Sequence, residues 1–166
     1  MATETARNLL VTGLRNAHAM ERQAQELMER QSERTDDFPE VKSRLKRHLE
    51  ETRQQLRRLE ACLEQCGESE STLKDMALST LANVAAVGHA MAGDEILKNT
   101  FANSAFEHYE IAAYKSLLAL CEKAGINLPN SLQTSLREEE EMAAWMDSHV
   151  RDVTLQYLAN EERAAA

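Results

Sequence analysis

Apolar residues recur at steps of three and four along most of the chain, which is the spacing of amphipathic helices. The first pattern runs from about Thr5 to Gln31, with a stripe of Leu10, Leu14, Ala17, Ala24 and Met28. The segment SERTDDFPE interrupts it, and Asp37 with Glu40 has the spacing of a capping box. We therefore predict a second helix from near Phe38 to just before Gly67.

Two further helices are predicted between the second helix and the last break of the chain. The third is capped by Ser69 or Ser71 and continues to about Ala92. The fourth restarts at Gly93-Asp94 and ends before Gly125.

The fifth predicted helix opens at Asn130, which forms another capping signal with Gln133. Its apolar stripe is Leu132, Leu136, Ala143, Met146, Val150, Val153 and Tyr157. Short breaks join the first helix to the second and the fourth to the fifth, so each pair should pack antiparallel while the third helix crosses between the pairs. The predicted fold is all-α, a ferritin-like four-helix bundle with an additional crossover helix, in a single domain over residues 1–166.

The composition supports this fold and disfavours two classes of partner. Among 166 residues there are only 5 Gly and 2 Pro, and strong helix formers dominate. A net charge of −9 disfavours nucleic acid, and the basic stretch from Lys42 to Arg58 is interleaved with Glu50 and Glu51, as on a solvated helix face. The segment from Met76 to Gly93 has no charged residue but is too polar for a membrane span. We expect neither nucleic acid nor membrane as a partner.

The cysteines and the first residues indicate a reducing compartment. Cys62, Cys66 and Cys121 are odd in number, and Met1-Ala2-Thr3-Glu4 has no apolar signal segment behind it. No second cysteine pair or paired histidine accompanies Cys62 and Cys66 as metal ligands. We predict buried free thiols in a cytoplasmic protein.

Polar residues interrupt the apolar stripe of all four long helices near mid-length. They are Glu21 on the first helix, His48 and Glu51 on the second, Glu107 and Glu110 on the fourth, and Glu139 on the fifth. Dinuclear carboxylate bundles use a single Glu from each of two helices and an i, i+3 pair from each of the other two. Five buried carboxylates would repel one another, whereas two divalent ions would nearly balance their charge. We therefore predict two metal ions, iron or alternatively manganese, bound by these six residues.

Other interpretations of single positions stay open. Glu139 is selected from a run of four glutamates by helical phase alone, and His48 in isolation reads as a hydrogen-bonded core histidine. His108 and His149 are expected on the surface. His18 either supports the ligands or packs in the core.

Two motifs carry a resemblance to a known family. The segments HLEET at 48–52, with Gln55, and EHYEIAAY at 107–114 resemble the signature segments of the YciE/YciF family of ferritin-like bacterial stress proteins. The similarity covers nearly the whole chain, beginning at AMERQ around Glu21. It implies a ferritin-like bundle, dimerisation, a cytoplasmic setting and a dinuclear metal site.

Carried over by position, the resemblance assigns ligand roles to Glu21, His48, Glu51, Glu107, Glu110, Glu138 and Glu139. Some relatives have Asp where this chain has Ala143, so one ligand of the fifth helix is absent here. The glutamate pair of the fourth helix is also similar to rubrerythrins, although the second helix reverses their Glu-x-x-His order. A rubrerythrin iron-thiolate module needs four cysteines, and this chain has three.

Two functions fit these residues. In the first, Glu51 and Glu110 bridge a metal pair that reacts with peroxide or dioxygen in a ferroxidase-, peroxidase- or catalase-like manner, and Tyr114 either supports the site or packs. In the second, the protein is a non-catalytic homodimeric stress protein whose metal site is structural or vestigial. An iron store is weaker, since nothing in the sequence indicates cage-forming contacts.

Either function is compatible with a homodimer, and we predict that the third helix forms its interface. This helix is rich in alanine and has no charged side chain to keep a partner apart. Light scattering should give twice the chain mass, and a monomer would rule the interface out.

Overall fold

Four long helices make up the described structure. The computed structural model describes residues 2–68, 94–128 and 130–166. Its helices are α1 (Ala2–Ser32), α2 (Pro39–Gln65), α3 (Glu95–Ala124) and α4 (Ser131–Ala164), and these residues contain no strand. The all-α bundle is confirmed, and α3 and α4 are the fourth and fifth helices predicted from the sequence. The predicted crossover helix, its uncharged segment and its dimer interface lie outside the described residues.

The helices pack as two antiparallel pairs. The amides of Gln31 and Asn103 join the end of α1 to the start of α3, so these helices run in opposite directions. Cys62 of α2 contacts Ser131 at the start of α4, which makes this pair antiparallel too. Arg7, near the start of α1, donates to the Cys66 carbonyl at the end of α2, so α1 and α2 are antiparallel as well. It follows that α2 and α3 are parallel, and the link between them joins opposite ends of the bundle. This is the connectivity of the ferritin-like arrangement.

Two apolar clusters fill the bundle and leave a polar layer between them. One cluster contains Leu10, Leu14, Leu59, Leu63, Leu117 and Leu132, all at most 2% exposed. The other contains Met28, Val41, Leu45, Met142, Met146 and Val153. The boundary between the clusters falls near mid-length on α2 and α3, about two-thirds of the way along α1 and in the first third of α4. The side chains at that boundary are therefore held between two dry, packed regions.

Helices α2 and α3 both end at a glycine in the left-handed region. Gly67 has φ 92° and Gly125 has φ 65°. The next residue after each glycine donates its N–H back into the last turn, from Glu68 to Leu63 and from Ile126 to Cys121. These are Schellman ends, and both helices end before the glycine, as the sequence predicted.

The predicted capping boxes are wrong at the atomic level. Phe38, not Asp37, is the N-cap of α2, and no side chain caps the helix. Pro39 occupies the first turn, where its missing N–H costs nothing, and Phe38 is buried in an apolar cluster. Asn130 is the N-cap of α4, but its side chain makes no capping bond.

The three cysteines are buried free thiols, as predicted. All three belong to the same apolar cluster, away from the polar layer. Burial raises the pKa of Cys62 and of Cys66, and it raises the pKa of Cys121 to about 11. The described helices include none that is both long and apolar enough to cross a membrane.

Replacing Gly125 with alanine should destabilise the protein through the backbone alone. A Cβ at this position meets no atom within 4 Å, so there is no clash to relieve. The positive φ should still cost about 1 kcal/mol of unfolding free energy in urea titrations followed by circular dichroism. Gly125→Asn is the control, because asparagine tolerates this conformation and should lose less. Equal stability of the Ala variant and the parent would contradict the assignment of the helix end.

Candidate metal centre

Four buried ligand groups meet in the polar layer. His48, Glu107, Glu110 and Glu139 each offer one ligand atom, and these atoms all lie within 4.8 Å of one another. None of the four residues is more than 4% exposed. His48 Nε2 lies 3.2 Å from Glu107 Oε2 and 3.4 Å from Glu139 Oε2. Three helices thus converge on one point, and this group could hold a metal ion.

Helical phase explains why these side chains face inward. On α3 the buried positions Glu107, Glu110 and Tyr114 follow one another at steps of three and four, so they share the face that packs on the core. On α4, Glu139 lies between the buried Ser135 and Met142 on the same stripe. The same stripes therefore place the carboxylates inside the bundle, at most 4% exposed.

Several carboxylate oxygens in the polar layer have no hydrogen-bond donor. Among the described residues these are Glu21 Oε2 and both oxygens of Glu110, while Glu107 Oε2 and Glu139 Oε2 have only the shared ion-pair contact with His48 Nε2. A buried carboxylate without a partner is costly, and cations or protons are what can satisfy it. The donor set of one imidazole and several carboxylates suits iron and manganese. The residues present therefore fit a metal centre.

Burial and mutual repulsion favour protonated carboxyls when no cation is near. Burial, together with the Glu139 carboxylate, holds the pKa of Glu21 well above its usual range. Burial and the neighbouring glutamates do the same to the pKa of Glu110. Burial raises the pKa of Glu107 to about 7, although its contact with His48 opposes the rise.

His48 concentrates the positive charge of the layer. Burial works against the imidazolium, but contacts with Glu107, Glu139 and Glu51 outweigh it and raise the pKa of His48 well above 6.5. The contact between His48 and Glu139 also changes the pKa of Glu139. Burial alone would raise the pKa of Glu139, and the hydrogen bonds from His48 lower it instead.

Glu21 adjoins the group of four through a tyrosine. The Tyr114 hydroxyl donates to Glu21 Oε1 at 2.6 Å, and both side chains are fully buried. The second oxygen of Glu21 is left without a donor. Its pKa responds to Glu139 and Glu107, so it belongs to the same electrostatic unit.

Glu51 lies on the far side of the imidazole from the other carboxylates. Its Oε2 is 2.9 Å from His48 Nδ1, and its two oxygens accept hydrogen bonds from Arg44 at 3.1 Å and from Arg47 at 3.0 Å. Burial opposes the charge, but His48 and Arg44 outweigh it and lower the pKa of Glu51 to about 2. In this position Glu51 orients the ring so that Nε2 faces the cluster.

A network that the sequence did not reveal fixes Glu139. Gln55 donates to Glu139 and, at 3.1 Å, to Glu138, while Arg58 donates two bonds to Glu138 at 2.6 and 2.9 Å. Glu139 therefore faces the cluster and Glu138 faces Arg58. Gln55 was visible on the apolar stripe of α2, but no periodic signal pointed to Arg58.

The other histidines lie away from the cluster. His108 is exposed, and its Nδ1 is 2.8 Å from the Ser104 carbonyl, as expected for a surface residue. His149 is half-buried and stacks on Trp145 with the ring centres 4.0 Å apart. His18 is buried and its Nε2 is 3.1 Å from Glu60 Oε1.

Comparisons with known proteins agree with this fold. The profile of a family described as a domain of unknown function (DUF892) matches residues 5–159. The chain is also similar to a protein from Xanthomonas campestris pv. campestris whose crystal structure is known, with 31% identity and a TM-score of 0.76. That similarity covers 95% of this chain and 99% of the other. Neither description names a function or the YciE/YciF family.

The metal-free protein should lose stability as the pH rises from 4.5 to above 7. Glu107, whose pKa is about 7 in the fold, keeps its proton there while the unfolded chain releases it near 4.5, so rising pH favours unfolding. His48, with a raised pKa, acts in the same direction, since its stabilising charge is lost as pH rises through the folded value. Thermal unfolding in a chelator should show the decline.

Glu107→Gln provides the control for this pH dependence. It removes one titrating group, and the decline should become shallower by up to about 3 kcal/mol, at about 1.4 kcal/mol per pKa unit. Stability that rises between pH 5 and 8 in the parent protein would contradict the charge distribution described here. Glu51 should have no effect in this window, because its pKa of about 2 lies below it.

Proposed function

The chain belongs to the DUF892 family, and from this premise we propose that it is a ferritin-like dinuclear metal-binding protein. Two divalent ions, iron or alternatively manganese, bind to Glu21, His48, Glu51, Glu107, Glu110 and Glu139. The protein uses them in peroxide, dioxygen or Fe(II) oxidation chemistry within a stress response of the YciE/YciF kind. The observation that carries this proposal is the group of four buried ligand residues whose atoms lie within 4.8 Å of one another.

Charge balance supports two ions rather than one. The six residues bring five carboxylates and one imidazole, and two divalent cations would leave a net charge of about −1. Bound iron or manganese would supply electrons for oxidant chemistry. The apolar clusters on either side support the proposal further, because they bury the ligand residues in a layer of limited access to water.

His48 contributes a preset ring orientation. With Nδ1–H donating to Glu51, release of the Nε2 proton on metal binding would leave a lone pair directed at the carboxylate cluster. Arg44 and Arg47 hold Glu51 in the position that selects this tautomer. To bind metal itself, Glu51 has to leave at least one arginine, so its role as a ligand is tested separately below.

Tyr114 contributes a proton donor at the inner edge of the site. Its hydroxyl holds one Glu21 oxygen, which leaves the other oxygen free for a cation. A buried tyrosine beside such a centre is also placed to supply an electron, with the proton passing to Glu21.

The alternative is a non-catalytic homodimeric stress protein with a structural or vestigial metal site. It is favoured by positive groups that compensate the carboxylates without metal. The raised pKa of His48 favours its imidazolium form, and Arg44 and Arg47 pair with Glu51. The homodimer is supported by the uncharged, alanine-rich segment from Met76 to Gly93, whose sequence offers no charge to keep a partner apart. The three free thiols support a cytoplasmic location.

Metal analysis tests whether the proposed residues bind metal, and consumption of peroxide or dioxygen tests whether the bound metal reacts with oxidants. Protein purified without chelator should contain about two equivalents of iron or manganese per chain, because dinuclear bundles with this set of ligands bind two ions. Glu139→Gln should weaken metal binding at least about tenfold, because it removes a first ligand. Glu140→Gln is the matched control, since the adjacent Glu140 pairs with Lys115 at the surface. Equal metal content in both variants would overturn the assignment.

The same protein distinguishes the two candidate functions. After addition of Fe(II), loss of peroxide or dioxygen with turnover supports the oxidant-handling protein, and metal without turnover supports the non-catalytic one. Glu51→Ala and Glu21→Gln report on the second ion: each should lower the content from two equivalents to one if these residues are ligands. A double variant Glu51→Ala with Glu107→Ala that kept its metal would refute the whole site.

A further inference from the structure

A cavity lies between α1 and α3, beside the metal centre. Its volume is about 360 Å³. It is formed by the second half of α1 and the first half of α3. Glu107 lines its inner end, so one residue belongs both to the cavity wall and to the group of four. A molecule in this cavity would therefore touch a ligand of the metal centre.

Apolar and polar side chains share the wall. Leu27, Met28 and Phe106 form its apolar part together with two alanines, and its polar part includes a pair of amides. Gln31 and Asn103 face each other across the helices and exchange two hydrogen bonds, at 3.1 and 2.8 Å. Because each amide already satisfies the other, the pair offers a neutral polar edge. Such a lining suits a mostly apolar molecule with one hydrogen-bonding group.

The size of the cavity exceeds what an ion or oxidant needs. A water molecule takes a share of roughly 30 Å³ in the liquid, and peroxide or dioxygen is of similar size. The cavity is about ten times larger, within the range of pockets that hold small organic ligands.

The charges at the rim disfavour a path for cations. Arg30 and Arg34 line this end, and both side chains are half-exposed. Arg34 pairs with Glu95 at 3.3 Å, and Arg30 with Glu26 at 3.5 Å, so both of these carboxylates at the described part of the rim have a basic partner. A route for Fe(II) or Mn(II) would instead be lined by unpaired acids.

We propose that this cavity binds a small, mostly apolar organic molecule with an uncharged or anionic polar group, and presents it to the metal centre at Glu107. The presentation step rests on the proposed function, whereas ligand binding does not require metal. The molecule's apolar part lies on Leu27, Met28 and Phe106, and its polar group lies toward the amides and arginines.

The probe is 1-anilinonaphthalene-8-sulfonate, an apolar ring system with one anionic group, whose fluorescence rises in apolar sites. Metal-free parent protein should bind one equivalent. Ala102→Trp fills the cavity from α3 and should weaken binding about tenfold or more. Asn99→Trp, one turn away on the same wall, is the second variant. Ala119→Trp is the matched control, since it is equally exposed on α3 but remote from the cavity.

A second measurement links the cavity to the metal. Protein loaded with Co(II) should change its visible absorption when the probe is added, and Ala102→Trp should abolish this change while keeping its Co(II) content and uptake rate. Equal probe affinity in all four proteins, bound probe without a spectral change, or slowed Co(II) uptake in Ala102→Trp with unchanged probe binding would each overturn the proposal. Absence of bound Co(II) would refute the proposed function, and probe binding that depended on Ala102 would still support the ligand site.

Discussion

The cost of burying carboxylates governs this structure. Glu21, Glu107, Glu110 and Glu139 lie in a dry layer between two apolar clusters, where like charges at short range cannot all remain ionised alone. The fold meets this cost with an imidazolium, one tyrosine hydroxyl and retained protons, and still leaves oxygens without donors. A bundle selected for stability alone would place leucines here, so the layer indicates a function that needs these groups.

Rigidity on either side of the layer lets so costly an arrangement persist. Each helix enters the layer from one packed cluster and leaves it into the other, which fixes its rotation at both ends. Supporting contacts then set the individual side chains: Arg44 and Arg47 act through Glu51 on His48, and Arg58 acts through Glu138 and Gln55 on Glu139. The directions of the His48 and Glu139 side chains are therefore set by residues that lie between the centre and the surface of the bundle.

Local sequence signals predicted the features that are determined within a single helix. Apolar periodicity located the four described helices, glycine marked the ends at Gly67 and Gly125, and interrupted stripes identified the inward-facing glutamates. The predictions that failed depend on competition between neighbouring residues or on contacts between different helices. Phe38 rather than Asp37 is the N-cap of α2, because burial of the Phe38 ring outweighed a capping hydrogen bond from the Asp37 side chain. The arginines on Glu51 and the contact of Arg58 with Glu138 depend on how helices dock, which periodicity within one helix does not encode.

The buried cysteines have a consequence for chemistry in an oxidising episode. A thiol reacts with peroxide as its thiolate, and at neutral pH a group with a pKa of about 11 is ionised in roughly one molecule in ten thousand. Cys121 and its two neighbours in the apolar cluster are thus poor competitors for any oxidant that reaches the interior. Burial in the apolar cluster thus protects these thiols from oxidation to sulfenic acid.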